Sequence, residues 1–360
     1  MKLKDLIGNK AYIYGTGSFA LRIKNILNEQ NIDVNAFLEL NKEISTCDLL
    51  PIYKLDEFQN LDKSIPVIIG LGNPQADIKF VTTQLETSGF QTINPIQFAI
   101  YAFNSGHTFE NYWLTGDLRI YDQNNEHIQL ARSMLSDTLS KNIFDDILGY
   151  RKNGKIEHLP EKLDSRVQYL APDLPWGEFL ERGVKVLDCG AFDGDTFENF
   201  RDFGVKIDYW NFVEPDENNF EKIKKKYMHT LKNVTYTHAG VTNMNGHVGF
   251  ESNVNSNGSK FSRTAEKKVQ SICIDQLADS TFINFLKFDI EGEELNALKG
   301  AENTINVNKP IMAISIYHLP SHHWEILNYL STFQIQYSYF VRVHGEQTFD
   351  TILYCIPINL

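Results

Sequence analysis

The sequence predicts an α/β chain in which an open, mostly parallel sheet is closed by an antiparallel hairpin and preceded by a small α/β unit and a helical segment. Three observations carry this. From Gly183 onward, apolar strand patterns at 184–189, 207–213, 234–239, 285–289 and 310–316 alternate with helical ones at 197–203, 218–227 and 294–302. Such alternation builds a parallel sheet covered on both faces. Two further strand patterns, 334–343 and 350–357, are separated only by a loop carrying Gly345, so they make a terminal hairpin whose last strand runs antiparallel. The first hundred or so residues repeat the strand–turn–helix order on a smaller scale. The spacing divides the chain at 1–103, 104–182 and 183–360.

In the first part, residues 10–14 form a strand, Gly15-Thr-Gly-Ser-Phe-Ala20 a turn, and 21–30 an amphipathic helix with Leu21, Ile23, Ile26 and Leu27 on one face. A second strand covers 34–39, a buried parallel strand 65–70 and a helix 75–88. Gly15-x-Gly17-x-x-Ala20 followed by Glu39 at the next strand end has the spacing of a dinucleotide fingerprint, so a nucleotide or nucleotide-sugar is one reading of this unit. The other is a tight strand-to-helix turn, because roughly 100 residues is short for a complete six-stranded dinucleotide domain. The middle part has helical periodicity through Ile128, Leu130, Ala131, Met134, Leu135, Leu139, Ile143, Phe144, Ile147 and Leu148. The aromatic and proline-rich stretch 168–176 lies over something rather than inside a helix, and the whole segment reads either as a cap or as a spacer.

The third part opens on the most informative stretch, Val184-Lys-Val-Leu-Asp-Cys-Gly-Ala-Phe-Asp-Gly-Asp-Thr196. A strand ends in Asp188, a turn with Gly190 and Gly194 follows, and the next strand ends in Glu214. Glycines let a backbone approach a ligand closely, and a carboxylate at the second strand end accepts hydrogen bonds from ribose hydroxyls. The Gly-x-Gly-x-x-Gly spacing that aims a helix N-terminus at a pyrophosphate is absent. Asp193 and Asp195 stand in the turn instead, which disfavours phosphate and suits a cationic nucleoside without phosphates, S-adenosylmethionine.

Composition narrows the function classes. A formal net charge of −12, with 42% hydrophobic and 22% charged residues, excludes a general nucleic-acid binder, which presents a basic face. The basic run Lys222–Lys226 lies on a helix and reads as its solvated side. No window holds the ~20 apolar residues that span a bilayer, no leader pattern opens the chain, and the four cysteines (Cys47, Cys189, Cys273, Cys355) are scattered without a C-x-x-C. A cytoplasmic protein with reduced thiols is the expectation, and a homo-oligomer is compatible with it.

Residues 186–196 resemble the first cofactor motif of the FkbM-type S-adenosylmethionine-dependent methyltransferases. Phe285-Leu-Lys-Phe-Asp-Ile-Glu-Gly-Glu-Glu-Leu-Asn-Ala-Leu-Lys-Gly-Ala301 resembles that family's strand-four signature, and Ala313-Ile-Ser-Ile-Tyr-His318 its strand-five end. The resemblance covers the third part only. It implies a Rossmann-like methyltransferase sheet, with Asp188, Gly190, Ala191, Asp193, Gly194 and Thr196 around the methionine end of the cofactor. It also implies Glu214 on the ribose, Ala239 and Gly240 near the adenine, and Asp289 and Glu291 at the sulfonium or the acceptor. Phe192 stands where the family usually has Asn.

Methyl transfer from a sulfonium needs in-line alignment at about 3 Å, and a hydroxyl acceptor also needs a base within hydrogen-bond reach. His318, at the end of strand five and able to titrate near neutrality, is the first candidate and Asp289 the second. No dedicated metal site is expected: Pro320 interrupts a His318–His322 helix face and His323 points elsewhere, although Asp289 and Glu291 leave a Mg²⁺ open. The polar loop 253–263, with Gly258, suits a polyhydroxylated acceptor. The absence of an Asn/Asp-Pro-Pro-Tyr/Phe run favours oxygen over nitrogen. The expectation is therefore O-methylation of a sugar, nucleotide-sugar or glycan hydroxyl, a carbohydrate modification. The alternatives are a nucleotide-sugar-binding or scaffold protein with an inactive methyltransferase fold, and an NAD-dependent oxidoreductase acting through the first part.

Overall fold

A computed structural model describes residues 2–40, 45–73, 75–108, 114–228, 233–251, 260–262, 264–278 and 281–358. The chain forms two compact units, one of residues 1–125, 145–160 and 345–349, the other of 126–144, 161–344 and 350–360. Helices Arg119–Gln123, Asn125–Met134 and Thr138–Asn153 occupy the stretch read as helical. No helix among the described residues is long and apolar enough to cross a membrane.

The first unit carries a six-stranded sheet of β1 (Lys10–Tyr14), β2 (Asp33–Glu39), β3 (Thr46–Cys47), β4 (Leu50–Lys54), β5 (Val67–Ile69) and β6 (Thr92–Ile93) in the order β3-β4-β2-β1-β5-β6. All pairs are parallel except β3 with β4. Helix Ser18–Glu29 buries Phe19, Ala20, Ile23, Ile26 and Leu27, the face its apolar spacing predicts.

In the second unit, β7 (Val184–Cys189), β8 (Ile207–Val213) and β9 (Val234–Thr237) are followed by a short arm of β10 (Gly240–Val241), β11 (Gly246–Glu251), β12 (Lys260–Phe261) and β13 (Lys268–Ile272). Then come β14 (Phe285–Phe288), β15 (Ile311–Ser315), β16 (Tyr337–Val343) and β17 (Thr351–Pro357). The main sheet has the order β16-β17-β15-β14-β7-β8-β9. Five strands run parallel, and β17 pairs antiparallel with both β15 and β16. The strand order reverses between β14 and β8 on either side of β7, so the crevice at the carboxyl ends of β7, β8 and β14 is where such a sheet binds ligands.

Three details differ from or extend the sequence reading. The helix expected over 294–302 is two helices, Glu294–Lys299 and Glu302–Asn308. At Gly300 the chain packs so closely on Thr242 that a Cβ would lie 2.4 Å from its carbonyl oxygen, and Asp275 restarts the helical turn by accepting from the N–H groups of Asn303 and Thr304. The stretch 168–176 belongs to the core of the second unit: Tyr169, Leu170, Ala171, Leu174 and Trp176 pack with Phe285, Phe340 and Tyr354. The Trp176 indole N–H donates to the Ala171 carbonyl at 2.7 Å, which closes this turn. The polar loop 253–263 lies outside the described residues except for 260–262.

Candidate active site

Strand register builds the floor of the crevice. In parallel pairing Lys287 of β14 stands beside Asp188 of β7, so both side chains leave the same face. Lys287 Nζ lies 3.1 Å from Asp188 Oδ1, and both side chains are buried. The Trp210 indole N–H donates to Asp188 Oδ2 at 3.3 Å, and Lys287 also donates to the Gly190 carbonyl. Burial pushes the Asp188 carboxyl up, and the Lys287 ammonium offsets part of that shift. Asp188 is therefore a buried, ion-paired support under the turn.

The turn is strained in an ordered way. Gly190 has φ +80° and runs so close to the end of the neighbouring strand β14 that a Cβ would sit 1.9 Å from the Asp289 carbonyl oxygen. Gly194, φ +85°, begins helix Asp195–Asp202 against the Tyr227 ring. Between them Phe192 has φ +48°, a left-handed conformation that Asn adopts more easily than Phe. Ala191, Gly194 and Thr196 are buried, Asp193 is half-buried, and the Thr196 N–H bonds to Asp195 Oδ1 at 2.7 Å.

Glu214 closes the turn from β8. Its Oε2 accepts from the Phe192 N–H and its Oε1 from the Asp216 N–H, both at 2.9 Å. Each carboxylate oxygen retains a lone pair for another donor. Burial raises the Glu214 carboxyl to about 7 despite these two bonds. Ala239 and Gly240 are buried at the end of the neighbouring segment, where the Phe261 ring and Pro215 occupy the space a Gly240 Cβ would need.

On the other side of the crevice the turn after β14 presents Asp289 and Glu291, the latter with φ +58°. Tyr169, from the 168–176 stretch, donates its hydroxyl to Asp289 Oδ2 at 2.8 Å, and Gln168 Nε2 donates to that hydroxyl at 3.0 Å. His318 Nε2 lies 3.4 Å from Asp289 Oδ1 and 3.5 Å from Glu291 Oε2, while its Nδ1 is 2.7 Å from Glu294 Oε1.

His318 does not titrate near neutrality as the sequence led us to expect. Burial alone would lower it, but Glu294, Glu291 and Asp289 outweigh burial and raise it to about 10. At neutral pH it is an imidazolium, a donor from both nitrogens and no base. The structure brings forward a residue that sequence reasoning missed. Ser315 stands opposite Ile352 in the antiparallel β15–β17 pair, so Tyr317 and Asp350 face each other just beyond it, and they are hydrogen-bonded. Burial and the negative charge of Asp289 raise the Asp350 carboxyl to about 6, and the His318 charge and the Tyr317 bond partly offset this. Among the described residues no group of three or more His, Cys, Asp or Glu side chains is arranged to hold a metal ion.

The donor groups fit S-adenosylmethionine. Glu214 offers acceptor lone pairs at the end of β8 for a hydroxyl-bearing ligand, while Asp289 supplies a carboxylate for positive charge. The cation nearest the turn, Lys287, is engaged by Asp188 and the Gly190 carbonyl rather than turned toward a phosphate.

Comparison with known proteins bears on the domain and the fold. Residues 188–340 match the model of the methyltransferase FkbM domain. The crystal structure of an FkbM methyltransferase from Methylobacillus flagellatus KT is similar at a TM-score of 0.77 and 22% identity, over 97% of this chain and 90% of that one. Fibrillarin from Aeropyrum pernix, crystallised with natively bound S-adenosyl-L-methionine, aligns over 53% of this chain and 72% of that one, at 11% identity and a TM-score of 0.34. No curated protein matches the chain. The domain that begins at β7 is an S-adenosylmethionine-dependent methyltransferase domain, similar to the FkbM type over residues 188–340.

Proposed function

We propose that the enzyme methylates a hydroxyl group of a neutral, polyhydroxylated acceptor, a sugar or glycan. One observation carries this: the groups around the crevice beyond the donor turn are carboxylates and tyrosines (Asp289, Glu291, Asp350, Tyr169, Tyr317), and its cations are already paired with carboxylates. Such a lining repels an anionic acceptor and accepts hydrogen bonds from hydroxyls.

Asp188, Gly190, Ala191, Asp193, Gly194 and Thr196 shape the donor site, Glu214 binds the ribose, Ala239 and Gly240 border the adenine, and Asp289 and Glu291 face the positive charge. When bound, S-adenosylmethionine supplies an electrophilic methyl group. The chain's own task is to align the acceptor and take its proton. With His318 charged, that proton goes to a carboxylate. Asp350 is better matched than Asp289, whose oxygens already face the Tyr169 hydroxyl and the imidazolium.

The test is transfer of tritium from labelled S-adenosylmethionine to glycan prepared from cells lacking the protein. Transfer to a nucleic acid or protein fraction but not to glycan would discard the acceptor class. A second measurement addresses Glu214. Ribose hydroxyls favour its ionised form, so S-adenosylhomocysteine should bind more weakly as pH falls below about 7, by up to tenfold per unit. In Glu214→Gln the affinity should be low and flat with pH; an unchanged slope removes Glu214 from the site.

In the first unit, the Thr16 hydroxyl bonds Glu39 Oε1 at 2.9 Å beside Gly15 (φ +99°). That placement favours a nucleotide or nucleotide-sugar there as a separate ligand. Calorimetric titration of the full chain with a uridine diphosphate sugar and with NADH tests it: binding of neither removes the idea, and binding of NADH alone favours an oxidoreductase instead.

A further inference from the structure

Glu294 is fully buried beneath the turn after β14, and the reaction proposed above gives it no part. Its Oε1 accepts from the N–H groups of Ile290 at 3.0 Å and Gly292 at 3.4 Å, and from His318 Nδ1 at 2.7 Å. Its Oε2 faces His322 Nδ1 at 3.2 Å. The far nitrogen of the same His318 ring then lies between Asp289 and Glu291, at 3.4 and 3.5 Å. Two carboxylates drawn to one point repel unless a positive charge stands between them.

We propose that Glu294 is a positioning residue. It fixes the ring orientation and the charge of His318, and that imidazolium holds Asp289 and Glu291 in the arrangement the methyl-transfer site uses. The inference rests on the assignment of those two carboxylates to the site. The chain thus uses a permanent cation of its own, set just past the end of β15, where a carboxylate pair would otherwise splay. Glu294 also ties the turn itself in place through the two backbone N–H groups, so ring and turn move as one piece.

The charged and titratable groups facing the ring come from every packed element. Glu294 comes from helix Glu294–Lys299 and His322 from helix His322–Leu330. Asp289 and Glu291 come from the turn, Asp350 from the approach to β17, and the tilted Tyr317 ring lies beside that of His318 at 4.1 Å between centroids. Burial alone would raise Glu294, but His318 and His322 outweigh it and hold that carboxyl well below the ordinary range, which keeps the clamp charged.

The test follows the His318 ring by NMR in the full chain with isotope-labelled histidine, its signal assigned by its loss in His318→Gln. The unaltered ring should stay charged from pH 5.5 to 8. In Glu294→Gln the same ring should titrate at least one pH unit lower, with S-adenosylhomocysteine affinity reduced at least threefold. Glu291→Gln removes a carboxylate whose side chain is 25% exposed, so it spares the core. It should give a smaller downward shift, and it stands in if Glu294→Gln fails to fold. A ring that is neutral at pH 7 in the unaltered protein, or one unmoved by either substitution, overturns the inference. The titration needs neither donor nor acceptor, so failure of tritium transfer to glycan overturns the proposed function on a separate measurement.

Discussion

Lys287→Met is expected to lower the unfolding free energy by about 3–5 kcal/mol, because it leaves a buried carboxylate without its counter-ion. Register puts Lys287 beside Asp188, and neither side chain reaches solvent to any useful degree. The ammonium has a second role in binding the Gly190 carbonyl, and it also lies 5.3 Å from the centroid of the Tyr169 ring. Methionine fills most of the same volume, so the cost is electrostatic rather than a cavity. The sign of the pH dependence follows from linkage. Asp188 is raised in the folded chain and would rise further without Lys287, so the folded state binds a proton that the unfolded chain has released. Stability of the variant therefore falls as pH rises from about 4, the unfolded carboxyl value. Urea unfolding at pH 5 and pH 8 should show the larger deficit at pH 8. The double variant Asp188→Asn/Lys287→Met should recover a substantial part of the loss, since neither charge then stays buried. A deficit under about 1 kcal/mol, or strict additivity in the double variant, would show that the pair is not the support described here.

The parts of the fold legible in the sequence are those written in local periodicity. Strands β7 and β8 begin and end where the apolar runs do, at 184–189 and 207–213, and the loop at Gly345 is too short for anything but an antiparallel return. The glycine turn after β7 was legible too, since Gly190 and Gly194 both sit at positive φ. What the sequence concealed is pairing across elements. Lys287 interrupts an otherwise apolar strand, and a buried lysine demands a partner, yet nothing local names Asp188, which is nearly a hundred residues earlier. Glu294 reads as an acidic first turn of a surface helix, and only its burial beneath Ile290 and Gly292 shows otherwise. The charge on His318 depends on carboxylates from the turn after β14 and the following helix. A strand-end histidine in isolation points toward neutrality, so that expectation failed for want of its neighbours. Tyr169 was hidden differently: the proline-rich stretch was recognised as a cover, but its contact with Asp289 is a matter of long-range packing.

Asp350→Asn should reduce the turnover number for methyl transfer to the proposed acceptor by about 10²–10⁴-fold, the range general-base loss produces, while S-adenosylhomocysteine affinity stays within about threefold. The substitution is mild for the backbone. Asp350 has φ +50°, and Asn tolerates this left-handed region at least as well as Asp, so folding should survive. The hydrogen bond from Tyr317 survives as well, because the Asn carbonyl oxygen still accepts. What is lost is the carboxylate's negative charge and with it the capacity to take a proton. In the unaltered enzyme the base must be ionised, so activity should fall as pH drops through about 6, the value to which burial and Asp289 raise Asp350. The residual activity of the variant should lose that limb of the profile. A structural role would behave differently, lowering activity evenly across pH and weakening donor binding together with turnover. His318→Gln provides the contrast. If the imidazolium positions carboxylates without removing the proton, this variant alters KM and donor affinity but keeps the acid limb near 6. Should Asp350→Asn retain full turnover while His318→Gln abolishes the acid limb, the proton would have to leave through the histidine after all, and the charge assigned to that ring would be wrong.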